Sequence, residues 1–422
     1  MTPNFGSNRS SAQGKILLVT SNFPRWAGDN TTPFVWHLAQ DLQELDWKVD
    51  VLAPHTKGTA TCEVIGGVRV ERFKYLWPAI LETICYQGGA LVNLRKKPSN
   101  HLKLPALVAS EWFAVARRLM DKKYSLLHSH WILPQGFTGV LAARPLGIPH
   151  VVTVHGSDVF ALRNSLLTTF KRFVLYQADA VTVNSSATEK AVINIAPKVK
   201  ELHRIPMGIS TQLPTTSLLS DDLRKRYRRG QGPLIVFVGR VVKEKGIEDL
   251  IRAVALLVPR LPDVSALIVG EGQDRPAFEA VTKSLGLADR VAFCGWIQPE
   301  IVPNYLSAGN IFVGPSWAEA QGLTFLEAML VGIPIVATRV GGIVDIIKHE
   351  ETGLLVNAHA PNEIADAVEK IVRESSLRQR LSTLGHQLVK REFSRKSSAE
   401  AFSQLFTRVI EIKDRVVRKE QG

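Results

Sequence analysis

Two glutamates eight residues apart, Glu319 and Glu327, bracket Gln321-Gly322-Leu323-Thr324 in the segment PSWAEAQGLTFLEAMLVGIP. Gly322 and Thr324 suit a helix start, which places Glu319 in the preceding loop and Glu327 about one turn inside the helix. Backbone N–H groups exposed at such a start can receive a phosphate, and carboxylates accept hydrogen bonds from sugar hydroxyls. Two acids beside a phosphate repel it unless they bind polyol hydroxyls, so the pairing favours a nucleotide sugar over a bare nucleotide. The plainer alternative is an amphipathic helix with one glutamate near its N-terminus, where the helix dipole favours it.

A second segment, Gly239-Arg240 followed by Lys243-Glu244-Lys245-Gly246, joins an apolar strand to a helix. The glycine lets the backbone come close, Arg offers a planar fork and Lys a compact charge, which together suit phosphate. In the first half, His128-Ser129-His130-Trp131 and His155-Gly156-Ser157-Asp158 each follow a strand. His128 and His130 lack a third ligand at usable spacing, so they read poorly as a metal site. His155 reads as a polar group presented to an interdomain cleft, able to hydrogen-bond a sugar hydroxyl and handle a proton near neutral pH. No DxD motif follows a strand, so no carboxylate-bound Mg²⁺ is expected. Gly270-Glu271-Gly272 lacks the third glycine of a dinucleotide fingerprint, which weighs against a dehydrogenase.

These residues need loops at the carboxyl ends of parallel strands, and the chain supplies them. Lys15 to Thr20, a loop, the helix Phe34 to Glu44 and the strand Lys48 to Ala53 form one strand-helix-strand unit. Pro233 to Val238, GRVVKEKG, the helix Ile247 to Leu257 and the strand Ala266 to Val269 form another. Continuous apolar strands signal parallel sheets covered on both faces, so the expected architecture is two doubly wound α/β domains in tandem. MGISTQLPTT, from Met207 to Thr216, reads as the boundary, and Ser398 to Val409 as a helix long enough to pack back across both domains.

The 422 residues suit two domains, and 45% apolar against 22% charged residues is a globular balance. Mean hydropathy is +0.04; no apolar run is long enough for a membrane span, and no apolar segment follows the polar first fourteen residues as in a signal peptide. Cys62, Cys85 and Cys294 form neither a disulfide framework nor a zinc pattern. The expected setting is the cytoplasm. Net charge is +13, and the excess is concentrated: residues 1–210 hold 24 basic and 14 acidic residues. The clusters are Arg95-Lys96-Lys97 with Lys103, Arg117-Arg118 with Lys122-Lys123, and Arg163 with Lys171-Arg172. Nucleic acid, an anionic membrane surface, a phosphorylated substrate or a merely solvated surface would each account for them. The apolar stretch from Ile80 to Val92, with Trp77 and Tyr86 nearby, borders the first cluster; it reads as lipid-facing or as a buried helix beside a basic loop.

Taken together the segments resemble the family 4 retaining glycosyltransferases of the GT-B fold. The resemblance rests on Glu319–Glu327 with GLTFLEAM, on FVGRVVKEKG, IVGEG, CGWI, VGIPIVAT, VGGIVDII and TGLLV, and in the first half on the strand-1 loop, HSHW and TVHGSD. It implies two Rossmann-like domains facing across a cleft: an acceptor-binding domain at 15–208 after a flexible 1–14, a nucleotide-sugar domain at 209–393, and a helix at 394–422 packing back toward the first. Arg240 and Lys245 would hold the donor diphosphate, with Gly239 beside them; Glu327 would bind ribose and Glu319 the donor sugar. Gly322, Leu323 and Thr324 would offer backbone donors. His155 would line the reaction centre, Gly28 would close over the phosphate, and His130 and Asp158 are acceptor-side candidates. The reaction implied is retaining transfer from a nucleotide-diphosphate sugar to a hydroxyl of a sugar, lipid-linked or phosphorylated acceptor, as in surface polysaccharide or glycolipid synthesis, with no metal cofactor. Three positions depart from the family pattern: Ala27-Gly28 replaces paired glycines, Gln321 an aromatic residue, and MGIS a hinge that commonly holds an acid. A GT-B epimerase or phosphorylase would share the architecture, and a basic nucleic-acid-binding protein the charge; the former should not need this spacing, and the latter lacks a recognition motif.

Overall fold

A computed structural model describes residues 13–421 apart from 30, 87, 122, 162–163 and 213–216. The polar residues 1–12, Lys122 and Arg163 therefore lie outside the described residues. The chain divides into two units. The first comprises residues up to Asn184, Thr188–Ile205 and Ser398 onward; the second holds Ser185–Ala187 and Pro206–Ser397.

The first unit is built on eight strands: β1 (Gly14–Val19), β2 (Trp47–Pro54), β3 (Cys62–Ile65), β4 (Val68–Phe73), β5 (Leu126–His130), β6 (His150–Val154), β7 (Ala180–Val183) and β8 (Leu202–Arg204). Their order is β3-β4-β2-β1-β5-β6-β7-β8, with every pairing parallel except β3 on β4. That antiparallel edge hairpin turns at Gly66-Gly67 and was not among the expected strands. β5 runs through His130, so His128 and His130 lie within the strand rather than after it. The helix Arg395–Gln421 is tied to this unit: Phe402 and Phe406 are buried beside His128, and Trp47 Nε1 donates to Ser403 Oγ at 2.9 Å.

Six parallel strands build the second unit: β9 (Leu234–Val238), β10 (Ser265–Val269), β11 (Val291–Gly295), β12 (Ile311–Gly314), β13 (Ile335–Thr338) and β14 (Leu354–Val356). Their order, β11-β10-β9-β12-β13-β14, reverses direction about β9. One face is covered by the helices Ile247–Leu257 and Pro361–Arg373, whose Leu250, Ile251, Val254, Ile364, Val368 and Ile371 are fully or almost fully buried. Burying each such side chain contributes roughly 1.5–3 kcal/mol. Helix Leu323–Leu330 packs on the opposite face through Phe325, Leu326 and Met329. The ends of β9 and β12, next to the switch in strand order, are where such sheets bind ligands.

Candidate functional site

In the second unit the loop after β9 carries Gly239, Arg240 and a tight turn at Lys243–Lys245, and closes on Gly246 at φ 65°. Arg240 is exposed, with no hydrogen-bond partner among the described residues. Lys245 Nζ forms an ion pair with Glu319, and both side chains are largely buried. The two residues expected to meet diphosphate and donor sugar therefore neutralise each other, 74 positions apart in sequence. This corrects the repulsion argument: Glu319 has a cation of its own, so the two carboxylates do not by themselves demand a polyol.

The loop 315–322 is held by its neighbours. Trp317 donates its backbone N–H to Glu244 at 2.8 Å and its indole N–H to Asp249 at 2.6 Å. Glu319 carbonyl accepts from Gly342 N–H at 3.0 Å. Gln321, buried, pairs with both backbone groups of Met207: its Oε1 accepts at 3.0 Å and its Nε2 donates at 2.7 Å. Thus the residue that replaces an aromatic serves as a clamp on the segment opening the second unit. Gly322, φ 93°, caps the helix Leu323–Leu330, leaving the N–H groups of Leu323 and Thr324 without intrahelical partners. Glu327 lies one turn in, half-buried, with no hydrogen bond to its carboxylate among the described residues. Burial pushes that carboxyl up to about 7.

The first unit holds the remaining candidates. Gly28, φ 87°, sits in the loop after β1 with no atom within 4 Å of a Cβ placed there. The loop is closed by Arg25, whose backbone N–H and Nε both donate to Asp29 at 2.8 Å. His155 follows β6, half-buried, packed by Phe34 and Trp131 with ring centroids 5.0 and 4.8 Å away. Burial pushes its imidazole down to about 3, so it is neutral near pH 7. His130 is fully buried, its Nδ1 2.8 Å from His155 Nε2. Asp158 is buried and accepts the N–H groups of Ile132 at 3.2 Å and Gly156 at 2.9 Å. Burial still raises it to about 6. His130 and Asp158, the acceptor-side candidates, are both buried, with their bonded atoms enclosed by the chain rather than presented to a ligand. Sequence reasoning passed over Gly341 and Asp29, and marked Gln321 only as a departure from the family pattern, because their partners are close only in space or within a loop. Among the described residues no group of three or more His, Cys, Asp or Glu is placed to hold a metal ion.

Two doubly wound parallel-sheet units, the second with cations, a carboxyl and a helix start at its strand ends, define a GT-B scaffold for group transfer. Residues 220–387 match the description "Glycosyl transferases group 1" and residues 31–208 "Glycosyl transferase 4-like domain". The chain is 30% identical to an alpha-D-kanosaminyltransferase of Streptomyces kanamyceticus over 287 residues, 65% of this chain and 74% of the relative. It is 26% identical to a GDP-mannose-dependent alpha-(1-6)-phosphatidylinositol monomannoside mannosyltransferase of Mycobacterium tuberculosis, over 85% of this chain and 89% of that one. A solved sucrose-phosphate synthase from Thermosynechococcus elongatus superposes with a TM-score of 0.76 at 24% identity, covering 94% of this chain and all of that one. The chain belongs to the group 1 glycosyl transferases, and it is a glycosyltransferase of the GT-B fold.

Proposed function

We propose that the second unit binds a nucleotide-diphosphate sugar, and that the enzyme transfers the sugar with retention of configuration to an acceptor hydroxyl. The observation that carries this reading is Glu327, a half-buried carboxyl with no hydrogen-bond partner among the described residues, one turn inside a helix whose first N–H groups are open. Ribose hydroxyls would supply the hydrogen bonds it lacks. Arg240, Lys245 and the N–H groups of Leu323 and Thr324 would take up the negative charge on the departing diphosphate. Glu319, released from Lys245 as phosphate approaches, would accept from the donor sugar, and His155 would line the reaction centre. The leaving diphosphate would accept the acceptor proton on the same face. The GDP-mannose dependence named for the mycobacterial relative supports a nucleotide-diphosphate donor.

The phosphatidylinositol mannoside in that name also supports a lipid-linked acceptor, and the first unit carries a surface suited to one. Trp77, Leu102 and Ile80 are 89%, 85% and 60% exposed. Lys103 Nζ donates to Leu81 carbonyl at 3.0 Å, bringing the turns Ala79–Leu81 and Pro98–Lys103 together. Arg95, Lys96 and Lys97 stand exposed at the end of the helix Ala90–Lys96. We assign this patch to the anionic inner surface of the cytoplasmic membrane; no described helix is long and apolar enough to cross one. Neither nucleic acid nor a metal cofactor enters the proposal.

Thermal shift and donor hydrolysis across a panel of nucleotide sugars would identify the donor. Arg240→Ala and Lys245→Ala should each lower turnover by roughly 10²-fold or more, and activity should persist in excess EDTA. Exposed Arg240 should be dispensable for folding, whereas Lys245→Ala should also lower Tm, because it leaves the largely buried Glu319 carboxylate without its cation. Near-normal turnover in both variants, or loss in EDTA that Mg²⁺ restores, would refute the site.

A further inference from the structure

Four histidines gather in and after β5 and β6, and three of them are buried with one ring nitrogen bonded and the other without a partner among the described residues. The unpartnered atoms are His128 Nδ1, His130 Nε2 and His150 Nδ1. At His150 the network fixes the proton. Ser129 Oγ donates to Gln135 carbonyl at 3.2 Å, so it must accept from His150 Nε2 at 2.9 Å. The proton is therefore on the bonded nitrogen and the lone pair on the bare one. Physical cost agrees, because a buried N–H without an acceptor is tolerated less than an acceptor without a donor. His128 follows the same rule, its Nε2 donating to Thr153 Oγ1 at 2.7 Å, which continues to Thr182 Oγ1 at 2.6 Å.

His130 leaves Nε2 bare, so its proton belongs on Nδ1, which faces His155 Nε2 at 2.8 Å. The two rings lie within 12° of parallel with centroids 5.1 Å apart. A 2.8 Å N···N contact reaches that separation only when the rings meet end to end, which aligns N–H with lone pair. We propose that His130 is a positioning residue that holds His155 in the tautomer protonated on Nδ1, so that His155 presents a fixed N–H donor and takes no proton. That N–H makes no hydrogen bond among the described residues. Its partner class is an oxygen acceptor, such as a sugar hydroxyl of a substrate, an assignment that rests on the proposed role of His155 in transfer. Burial keeps both imidazoles neutral in the physiological range, so the pair shares one proton between the facing nitrogens.

Long-range ¹H–¹⁵N correlation spectra of the full chain with ¹⁵N-labelled histidine test this at neutral pH. His155 signals are assigned by their loss in His155→Ala. The wild type should show His155 protonated on Nδ1 and bare at Nε2. His130→Phe should switch His155 to the Nε2-protonated form, and His130→Asn, whose amide N–H stands near the former Nδ1, should restore it. A wild-type His155 protonated on Nε2, or on both nitrogens, overturns the proposal. For sugar transfer, His130→Phe should lower kcat about tenfold or more, with KM for the donor changed less than about threefold, and His130→Asn should recover it. A switched tautomer with unchanged kcat would leave the His130–His155 relay standing and remove His155 from the reaction centre.

Discussion

Burial raises the Glu327 carboxyl to about 7, so near pH 6 the folded protein holds a proton that the unfolded chain has released. Stability contributed at this position therefore falls as pH rises from the ordinary carboxylate range to about 7, and is flat above it. Glu327→Gln should remove that penalty. We expect a gain on the order of 1 kcal/mol at pH 8, a few degrees in Tm for a domain of this size, vanishing near pH 4. The same substitution should weaken binding of free nucleoside diphosphate, because ribose hydroxyls prefer the ionised carboxylate. In the wild type that affinity should drop by up to tenfold per pH unit below 7 and plateau above. Scanning calorimetry and titration calorimetry across pH read both effects; a pH-independent affinity would remove Glu327 from the ribose site. Glu319→Gln should behave differently, sparing nucleoside diphosphate and impairing transfer only, since its carboxylate pairs with Lys245 rather than standing alone. The spacing of the two glutamates was legible in the sequence. Their opposite electrostatic situations were not, because one is decided by a lysine 74 residues away and the other by how deeply a helix turn is packed.

The loop that carries Glu319 owes its shape to backbone contacts that allow no side chain. A Cβ on Gly246 would stand 1.9 Å from the Pro315 carbonyl oxygen, and one on Gly341 1.9 Å from that of Glu319, and both glycines have positive φ. Gly246→Ala and Gly341→Ala should therefore each destabilise the second unit by more than the ~1 kcal/mol of a strained backbone alone, and should weaken donor binding by displacing the loop. Thermal unfolding with and without nucleoside diphosphate checks this; an unchanged ligand-induced shift in both variants would mean that the loop position does not matter for binding. The parallel strands and their following loops could be read from continuous apolar runs, since both faces of such a sheet are covered. The β3–β4 hairpin was missed although Gly66-Gly67 between alternating apolar residues is a hairpin signal; the short strands lie at a sheet edge, half exposed, and lack the continuous runs. The Gln321–Met207 clamp joins residues 114 positions apart, and no local pattern encodes it. Likewise the stretch from Ile80 to Val92, for which a buried helix is one of two readings of the sequence, forms two separate pieces, Ala79–Leu81 and Ala90–Lys96, because Tyr86 turns inward at φ 67° and buries its hydroxyl on the Pro54 carbonyl at 2.7 Å.

Summed over the chain, the charge of +13 overstates what a partner could feel. Lys171 is buried, its Nζ on the Ala161 carbonyl at 2.9 Å, and Arg118 is paired with Glu71. Arg172 Nε is bonded to the Ile195 carbonyl at 2.8 Å. Of the expected clusters, Arg117, Lys123 and all of Arg95-Lys96-Lys97 stay exposed, and the last triplet neighbours apolar side chains that solvent alone would not favour, Trp77 and Leu102 above all. An apolar tip flanked by cations suits the headgroup region of an anionic bilayer, where each basic residue contributes roughly 1 kcal/mol and the apolar groups add burial. The protein should therefore sediment with vesicles containing acidic phospholipid and much less with neutral ones, and binding should fall as salt shortens the Debye length below about 8 Å. Replacing Arg95, Lys96 and Lys97 together by Ser should release it at physiological salt, and Trp77→Ser with Leu102→Ser should weaken binding even at low salt, where electrostatics are strongest. Donor hydrolysis should survive both sets, since the proposed donor residues belong to the second unit. Equal sedimentation with neutral and acidic vesicles, or none with either, would leave the patch without its lipid partner and point to a soluble phosphorylated acceptor as the reason for the basic surface.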